Sequence, residues 1–378
     1  MRPRSDRQAL AVLHPSFALT GVFHAIGGAL LPALAAAFHL SDSQSGVLFF
    51  LYFAGTSLGA LLCIGQYARL MYGGFLVAAA ASVGIAFGRG VLLQPMFLVL
   101  GIGVGVPMSA VSIYAGRRFG ERSAAPLTFL SLSWSAGALF APLLAARVLL
   151  HHTYRAAYQV LAALAVLAAL ACWRFLDEPA QSPARDAGAA TRRTAWVALF
   201  ALLTFLEVGV ENTTATWLAT FSLRTSGAGA AHAAATSSLY WCGFLASRGV
   251  VSVLLLRMNP ARVLRVAVAV AAVSSALLIG FASPVMRNCA MLALGASLAP
   301  IFPLLLARFF TRARNASDSR WVLAVCGFGG SVLPWLTGIV SASAHSLRVG
   351  LATVPAALAL ILCLLPMLSR RAARPASE

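Results

Sequence analysis

The chain has 378 residues, of which 60% are hydrophobic and 10% are charged, and its mean hydropathy is +0.85. This composition excludes a water-soluble globular protein, because no soluble domain needs so much apolar surface. The net charge of +18 would suit a nucleic-acid partner, but the arginines are distributed as in a membrane protein, and we expect no nucleic acid to bind.

Long apolar segments recur along the whole chain. About 20 apolar residues in a helix cross a bilayer core of about 30 Å, and we count about twelve segments of this length. We therefore predict an all-α membrane protein with six spans in each half. The predicted spans are 10–38, 44–64, 70–88, 92–115, 127–150, 156–176, 194–223, 234–256, 261–282, 285–310, 321–342 and 347–368.

One polar segment, 177–193, separates the two hydrophobic blocks. It contains Pro179, Pro183 and Gly188 together with three arginines, a composition typical of linkers. We predict an N-terminal six-helix bundle at 1–176, a cytoplasmic linker at 177–193 and a C-terminal six-helix bundle at 194–378. The first span has no small-residue cleavage site, so we expect a retained helix rather than a signal peptide.

All 28 basic residues are arginine, and most of them follow even-numbered spans or lie near the termini. Such a bias marks the cytoplasmic side, so both termini are expected there. Arginine in place of lysine, together with abundant alanine, indicates a GC-rich bacterial genome. We therefore predict a multi-pass protein of the bacterial inner membrane.

The two halves resemble each other at an offset of 188 residues. In the same register Asn212 corresponds to His24, the deepest polar residue of the first span. An internal repeat of this kind is typical of membrane transporters. The matched pairs are Leu51 and Leu239, Tyr52 and Tyr240, Gly55 and Gly243, and Arg69 and Arg257.

Glu207 and Glu211 are the only acidic residues within the predicted spans, and their spacing places them on one helix face. An ionisable group at bilayer depth normally faces a water-filled cavity and marks an ion or proton pathway. Three interpretations stay open: proton coupling, a structural or gating ion pair with Arg248 of the next span, and a binding site for a cationic substrate.

A polar solute at the bilayer midplane requires hydrogen-bonding groups and aromatic faces. For the aromatic residues, packing or an interfacial position is the alternative interpretation. We find no enzyme motif, and we predict no enzymatic activity, no cofactor, no metal site and no disulfide. The candidate substrate-binding residues are Asn212, His24, Trp217, Tyr240, Trp241, Gln44, Tyr52 and Trp134.

Several features of the chain resemble the major facilitator superfamily. They are the two repeated six-span halves, the basic linker, Gly55, Gly59, Gly65 and Arg69 around the second loop, and the Ser247-Arg248-Gly249 tripeptide. The loop 65–73 lacks the acidic residue and most of the basic residues of that family's motif. Residues 205–212 and 217–221 are similar to the seventh helix of the fucose-permease-like and sodium-glucose-transporter-like branches.

The resemblance implies uptake of a small polar solute driven by protons or sodium. Fucose permeases carry acidic residues in helices one and four, and spans one and four here have none, so that coupling scheme does not carry over. We expect a monomeric secondary transporter, with proton-coupled import of a sugar-like compound by alternating access as the leading version. The alternatives are an exporter of cationic or amphipathic compounds and a non-transporting receptor of the same fold.

Overall fold

The computed structural model describes residues 5–120, 123–178, 195–255, 257–311 and 316–370, and within these ranges it contains helices and no strand. Of the predicted linker, 179–193 lies outside the described residues. The helices are α1 (Asp6–Phe38), α2 (Asp42–Leu61), α3 (Tyr67–Phe87), α4 (Gly90–Phe119), α5 (Ala124–Leu149), α6 (Tyr154–Phe175), α7 (Ala195–Ser226), α8 (Ala230–Leu254), α9 (Pro260–Gly280), α10 (Pro284–Leu298), α11 (Ile301–Phe310), α12 (Ala316–Ser343), α13 (Leu347–Leu351) and α14 (Thr353–Arg370).

Each predicted span coincides with one helix or with two consecutive helices. The tenth span consists of α10 and α11, which meet at Pro300, a residue that cannot donate the backbone hydrogen bond of a helix interior. The last span consists of α13 and α14. Eleven segments of the described chain are long and apolar enough to cross a membrane. The 25-residue α8, which carries His232 and Arg248, is not among them.

The chain forms two compact units. Unit 1 comprises Met1–Ala184 and Thr216–Ser238, and unit 2 comprises Arg185–Ala215 and Leu239–Glu378. Unit 1 therefore includes the C-terminal part of α7 and the N-terminal part of α8 in addition to α1–α6. The predicted bundle boundaries stay a prediction.

In unit 1, glycines bring α2 and α4 into backbone contact. A methyl group on Gly55 would meet the carbonyl oxygen of Leu98, and one on Gly101 would meet that of Tyr52. Gly21 of α1 likewise lies against the backbone carbonyl of Trp134 in α5. Close approach through small residues is a common way for helices to pack in membranes.

Unit 2 repeats these contacts with its own helices. Gly243 of α8 lies against the Leu292 carbonyl, and Gly295 of α10 lies against the carbonyl of Tyr240. Gly209 of α7 approaches the Gly329 carbonyl of α12. Gly55 and Gly243, like Gly21 and Gly209, are 188 residues apart. The internal repeat predicted from the sequence is thus present in the helix packing.

Polar side chains define several helix ends. In α2, Ser41 accepts a hydrogen bond from the Gln44 N–H at 3.2 Å, and the Gln44 side-chain oxygen accepts one from the Ser41 N–H at 2.9 Å. This reciprocal arrangement is a capping box. The N-terminus of α3 is capped from elsewhere in unit 1, because the Glu178 carboxylate accepts hydrogen bonds from the N–H groups of Ala68 and Arg69 at 3.2 and 3.0 Å.

Asp177 belongs to a second polar cluster in unit 1. Arg118 of α4 donates to Asp177 at 2.7 Å and to Asp6 at 3.0 Å, and the Tyr114 hydroxyl donates to Asp177 at 3.2 Å. These contacts tie the segment after α6 to α1 and α4.

Candidate functional site

Two carboxyl groups and one guanidinium interact in unit 2. Glu207 of α7 is completely buried, and neither of its carboxyl oxygens has a hydrogen-bond partner among the described residues. It interacts electrostatically with Glu211, one helical turn further along, and with Arg248 of α8. The Arg248 guanidinium also lies 4.9 Å from the ring centre of Phe244, within the range of a cation–π contact.

Tyr240 of α8 belongs to the same cluster. Its side chain is fully buried, its hydroxyl has no hydrogen-bond partner among the described residues, and it interacts electrostatically with both glutamates and with Arg248. The Tyr240 ring contacts that of Trp241 edge-on, with centres 5.0 Å apart. We call Glu207, Glu211, Tyr240 and Arg248 the acidic cluster. It combines the two predicted coupling residues with an aromatic candidate for substrate binding.

Asn212 lies directly beside this cluster in sequence and is 5% exposed. Its side-chain amide packs on Gly330 of α12, where a methyl group would collide with the amide nitrogen. The neighbouring Ser331 is also buried, with a hydroxyl that has no partner among the described residues. Because α7 and α12 approach through Gly209 and Gly329, the Asn212 amide has a defined position.

The candidates on α1, α2 and α5 meet in unit 1. The His24 ring lies 5.0 Å from the Trp134 ring and 5.5 Å from the Phe53 ring, measured between ring centres. The Tyr52 hydroxyl donates a hydrogen bond to the Phe23 carbonyl at 3.1 Å and so links α2 to α1. The structure thus brings His24 and Trp134 together.

A small cavity in unit 1 lies beside these residues. It is lined mainly by aromatic side chains, including Phe23, Phe49, Phe97 and Tyr158, and Tyr52 is the one predicted site residue on its wall. The Tyr158 hydroxyl is buried and has no partner among the described residues. The apolar lining makes the cavity a poor site for a polar solute.

Two further candidates lie apart from these groups. Trp217 of α7 is completely buried in the unit 1 part of that helix. Gln44 lies at the N-terminus of α2, where its side chain completes the capping box. Helix capping accounts for its amide, and the sequence signal for that role is the serine three residues earlier.

Three buried threonines of α7 are not among the site residues that the sequence predicts. The hydroxyls of Thr213, Thr216 and Thr220 have no partner among the described residues, and the side chains are 0, 1 and 4% exposed. Their spacing of three and four residues places them on one helix face, and this spacing is the sequence signal by which they could be predicted. Within the described ranges, no group of three or more His, Cys, Asp or Glu residues is arranged to hold a metal ion.

Comparison with solved structures identifies the fold. A bacterial homologue of the human lysosomal transporter Spinster, in an inward-facing and occupied conformation, has a TM-score of 0.77 at 14% identity, with 96% of each chain covered. A point mutant of the nucleoside transporter NupG has a TM-score of 0.73 at 14% identity, covering 96% of this chain and 98% of that one. A point mutant of the fucose:proton symporter FucP of E. coli has a TM-score of 0.65 at 17% identity, with coverages of 95% and 98%.

A search of curated proteins by sequence finds no match. The structural similarities confirm the predicted all-α fold of two repeated six-helix halves. A family model described as Major Facilitator Superfamily matches residues 13–320. The protein is therefore a multi-pass integral membrane protein with a transporter fold, and the chain belongs to the major facilitator superfamily.

Proposed function

We propose that the protein couples the movement of protons to the transport of a small polar organic solute, with a sugar-like compound as the leading substrate. The observation that carries the proposal is the buried Glu207 carboxyl group, which has no hydrogen-bond partner among the described residues and interacts with Glu211 and Arg248. A buried charge without hydrogen bonds is costly, and a bound proton removes that charge. Proton uptake and release at the acidic cluster can therefore follow changes in its exposure during alternating access.

The substrate side of the proposal rests on residues near the cluster. Asn212 provides an amide at a defined position, and Tyr240 and Trp241 provide aromatic faces. The other predicted binding residues, His24, Trp134, Tyr52 and Trp217, belong to unit 1, and they stay proposed from the sequence. The names of two structural neighbours, a fucose:proton symporter and a nucleoside transporter, support a solute with sugar hydroxyls, since a nucleoside contains a pentose.

The proposal includes a location and an orientation. The protein acts as a monomer in the bacterial inner membrane. Both termini lie in the cytoplasm, because positively charged loops are retained on that side. We call the opposite face of the membrane the outer face. It corresponds to the end of α1, the start of α2 and the end of α7.

A second candidate function is export of cationic or amphipathic compounds. Two carboxyl groups share a single arginine in the acidic cluster, and this excess of acidic groups would attract a cation.

The test is transport by purified protein in liposomes that contain a pH-sensitive dye. Glucose, fucose, uridine and tetraphenylphosphonium are added in turn to the wild type and to Glu207→Gln, Glu211→Gln and the control Asp6→Asn. Asp6 is a suitable control because it is an exposed carboxylate outside the cluster. We expect a neutral solute to drive proton movement in the wild type and the control, and neither glutamate variant to move protons.

A variant that loses proton movement should still exchange labelled for unlabelled solute, because exchange requires no change of protonation. Full proton coupling in both glutamate variants would contradict the proposal and make the carboxyl groups structural. A response to tetraphenylphosphonium alone would favour the exporter. The absence of transport with every solute would favour a receptor.

A further inference from the structure

We propose that the outer segment of α7, residues 216–226, lines the outer part of the solute path and binds hydroxyl-rich neutral solutes through Thr216 and Thr220. The Asp42–Arg224 ion pair closes this part of the path in the present structure. The solute class rests on the function proposed above, and the closing role of the ion pair rests only on the orientation proposed there.

The two hydroxyls differ from those of Thr214 and Thr225 on the same helix, and they share with Thr213 the absence of a partner among the described residues. A threonine within a helix commonly donates to a backbone carbonyl of the preceding turn. Thr214 does so to Val210 at 2.8 Å, and Thr225 does so to Phe221 at 2.7 Å. Thr216 and Thr220 are at most 4% exposed, and their hydroxyls have no partner within the described parts of the chain.

A buried hydroxyl without a partner is energetically unfavourable, and such groups call for a functional explanation. Water or a solute hydroxyl would satisfy these groups once the segment opens. Thr216 and Thr220 are four residues apart and therefore lie on one helix face. A solute with several hydroxyl groups can bind to both of them along the same face.

The ion pair lies at the end of that face. Arg224 follows Thr220 by four residues and donates to both carboxylate oxygens of Asp42, at 2.8 and 2.5 Å. Asp42 is the first residue of α2, and Arg224 lies in the last turn of α7. Each charge is therefore also favourably placed with respect to its own helix dipole.

Exposure of the ion pair suits a contact that opens and closes. The Arg224 side chain is 45% exposed and that of Asp42 is 12% exposed. Two-point contacts between arginine and carboxylate are geometrically specific, but partly exposed pairs stabilise a structure only weakly. Such a pair selects the closed position of α7 without making it permanent.

The experiment measures access to the threonine positions from the outer face. Thr216→Cys or Thr220→Cys is placed in a chain whose six native cysteines are replaced by serine, and intact cells are treated with a membrane-impermeant maleimide. Labelling rates are compared between this background and the same background with Asp42→Asn or Arg224→Gln. We expect roughly two- to fivefold faster labelling after either neutralisation, as for the loss of one partly exposed ion pair.

Three controls separate this effect from misfolding. Thr204→Cys, on the part of α7 nearer the cytoplasm, should label equally slowly in all backgrounds. Asp177→Asn removes an ion pair of unit 1 outside the proposed path and should leave the labelling of Thr220→Cys unchanged. The exchange Asp42→Arg with Arg224→Asp should restore slow labelling. Unchanged labelling of both cysteines in both neutralised variants would overturn the closing role of the ion pair.

A second measurement tests the binding role. Glucose, fucose, uridine or tetraphenylphosphonium is added to the Asp42→Asn background during labelling. Protection of Thr216→Cys or Thr220→Cys by at least one neutral solute supports a hydroxyl-binding path. Protection by tetraphenylphosphonium alone, or by none of the four, overturns it. Because the readout is labelling, a loss of proton coupling elsewhere leaves this result interpretable.

Discussion

At the scale of single residues, the contact between Asn212 of α7 and Gly330 of α12 defines where the Asn212 amide lies. The amide nitrogen occupies the space that a side chain at position 330 would require. A methyl group at position 330 would displace the amide, so the position of a candidate binding group depends on this glycine.

We expect Gly330→Ala to displace the Asn212 amide and to raise the KM for the transported solute about two- to tenfold, as for the loss of one hydrogen bond. The measurement is the apparent melting temperature in detergent, combined with the KM for the transported solute. Gly249→Ala is the matched control, because a methyl group at that helical position would meet nothing within 4 Å. Equal KM values for the two variants would contradict this argument about the position of the amide.

The candidate site was partly predictable from sequence. Glu207, Glu211 and Asn212 stand out because charged and amide groups are rare within apolar spans. Gln44 also stands out, but its position three residues after a serine at a helix start makes it a capping residue. The distinctive property of Thr216 is the absence of a nearby hydrogen-bond partner among the described residues, and only three-dimensional structure reveals that.

At the scale of helices, the start of α3 depends on a residue far away in sequence. Its N-cap residue, Gln66, makes no side-chain capping bond, and the loop 65–73 lacks the acidic residue of the family motif. Glu178 provides a carboxylate at this helix end instead, where backbone N–H groups and the helix dipole favour negative charge.

We expect Glu178→Ala to destabilise the first turn of α3 by about 1 kcal/mol, the usual effect of losing a helix cap. Hydrogen exchange at the amides of Ala68 and Arg69 should then be about fivefold faster than in the wild type. Glu178→Gln keeps an acceptor oxygen and should show a smaller effect. Equal protection of these amides in the wild type and Glu178→Ala would contradict the capping role.

The existence of most helices was predictable, since it depends on the length of apolar runs. The ends of the helices were less predictable. The helix α1 begins at Asp6, earlier than predicted, because Ser5 and Gln8 form a capping box within the polar segment. The division of the tenth span at Pro300 lies within a continuous apolar run, and hydropathy does not reveal such a break.

At the scale of the whole molecule, the orientation in the membrane decides which end of α7 faces outward. The proposed orientation rests on the arginine distribution, and the proposed closing role of Asp42 and Arg224 depends on it.

We expect alkaline phosphatase fused within the loops 39–41 and 150–153 to be active in a bacterial host, because these loops should face the periplasm. A fluorescent protein fused after position 378 should fluoresce in the cytoplasm. Western blotting of each fusion controls for expression. The reverse pattern would assign Asp42 and Arg224 to the cytoplasmic face.

The overall architecture was predictable because the repeat is visible in the sequence, where tyrosine and glycine recur at an offset of 188 residues. The helix contacts confirm the repeat, because Gly55 and Gly243 make matching close contacts with a neighbouring helix. The composition of the two compact units was not predictable. It divides the continuous helix α7 after Ala215, where the sequence shows no change of composition.

The matched glycine contacts also show how the two halves have diverged. Helix packing is retained in both copies, whereas the carboxyl groups of the acidic cluster have no counterpart in the first. A proton that binds to the acidic cluster would therefore bind to only one of the two repeated halves, and the other half has uncharged residues at the matched positions. In the repeat register, Glu207, Glu211 and Arg248 correspond to Leu19, Phe23 and Ala60.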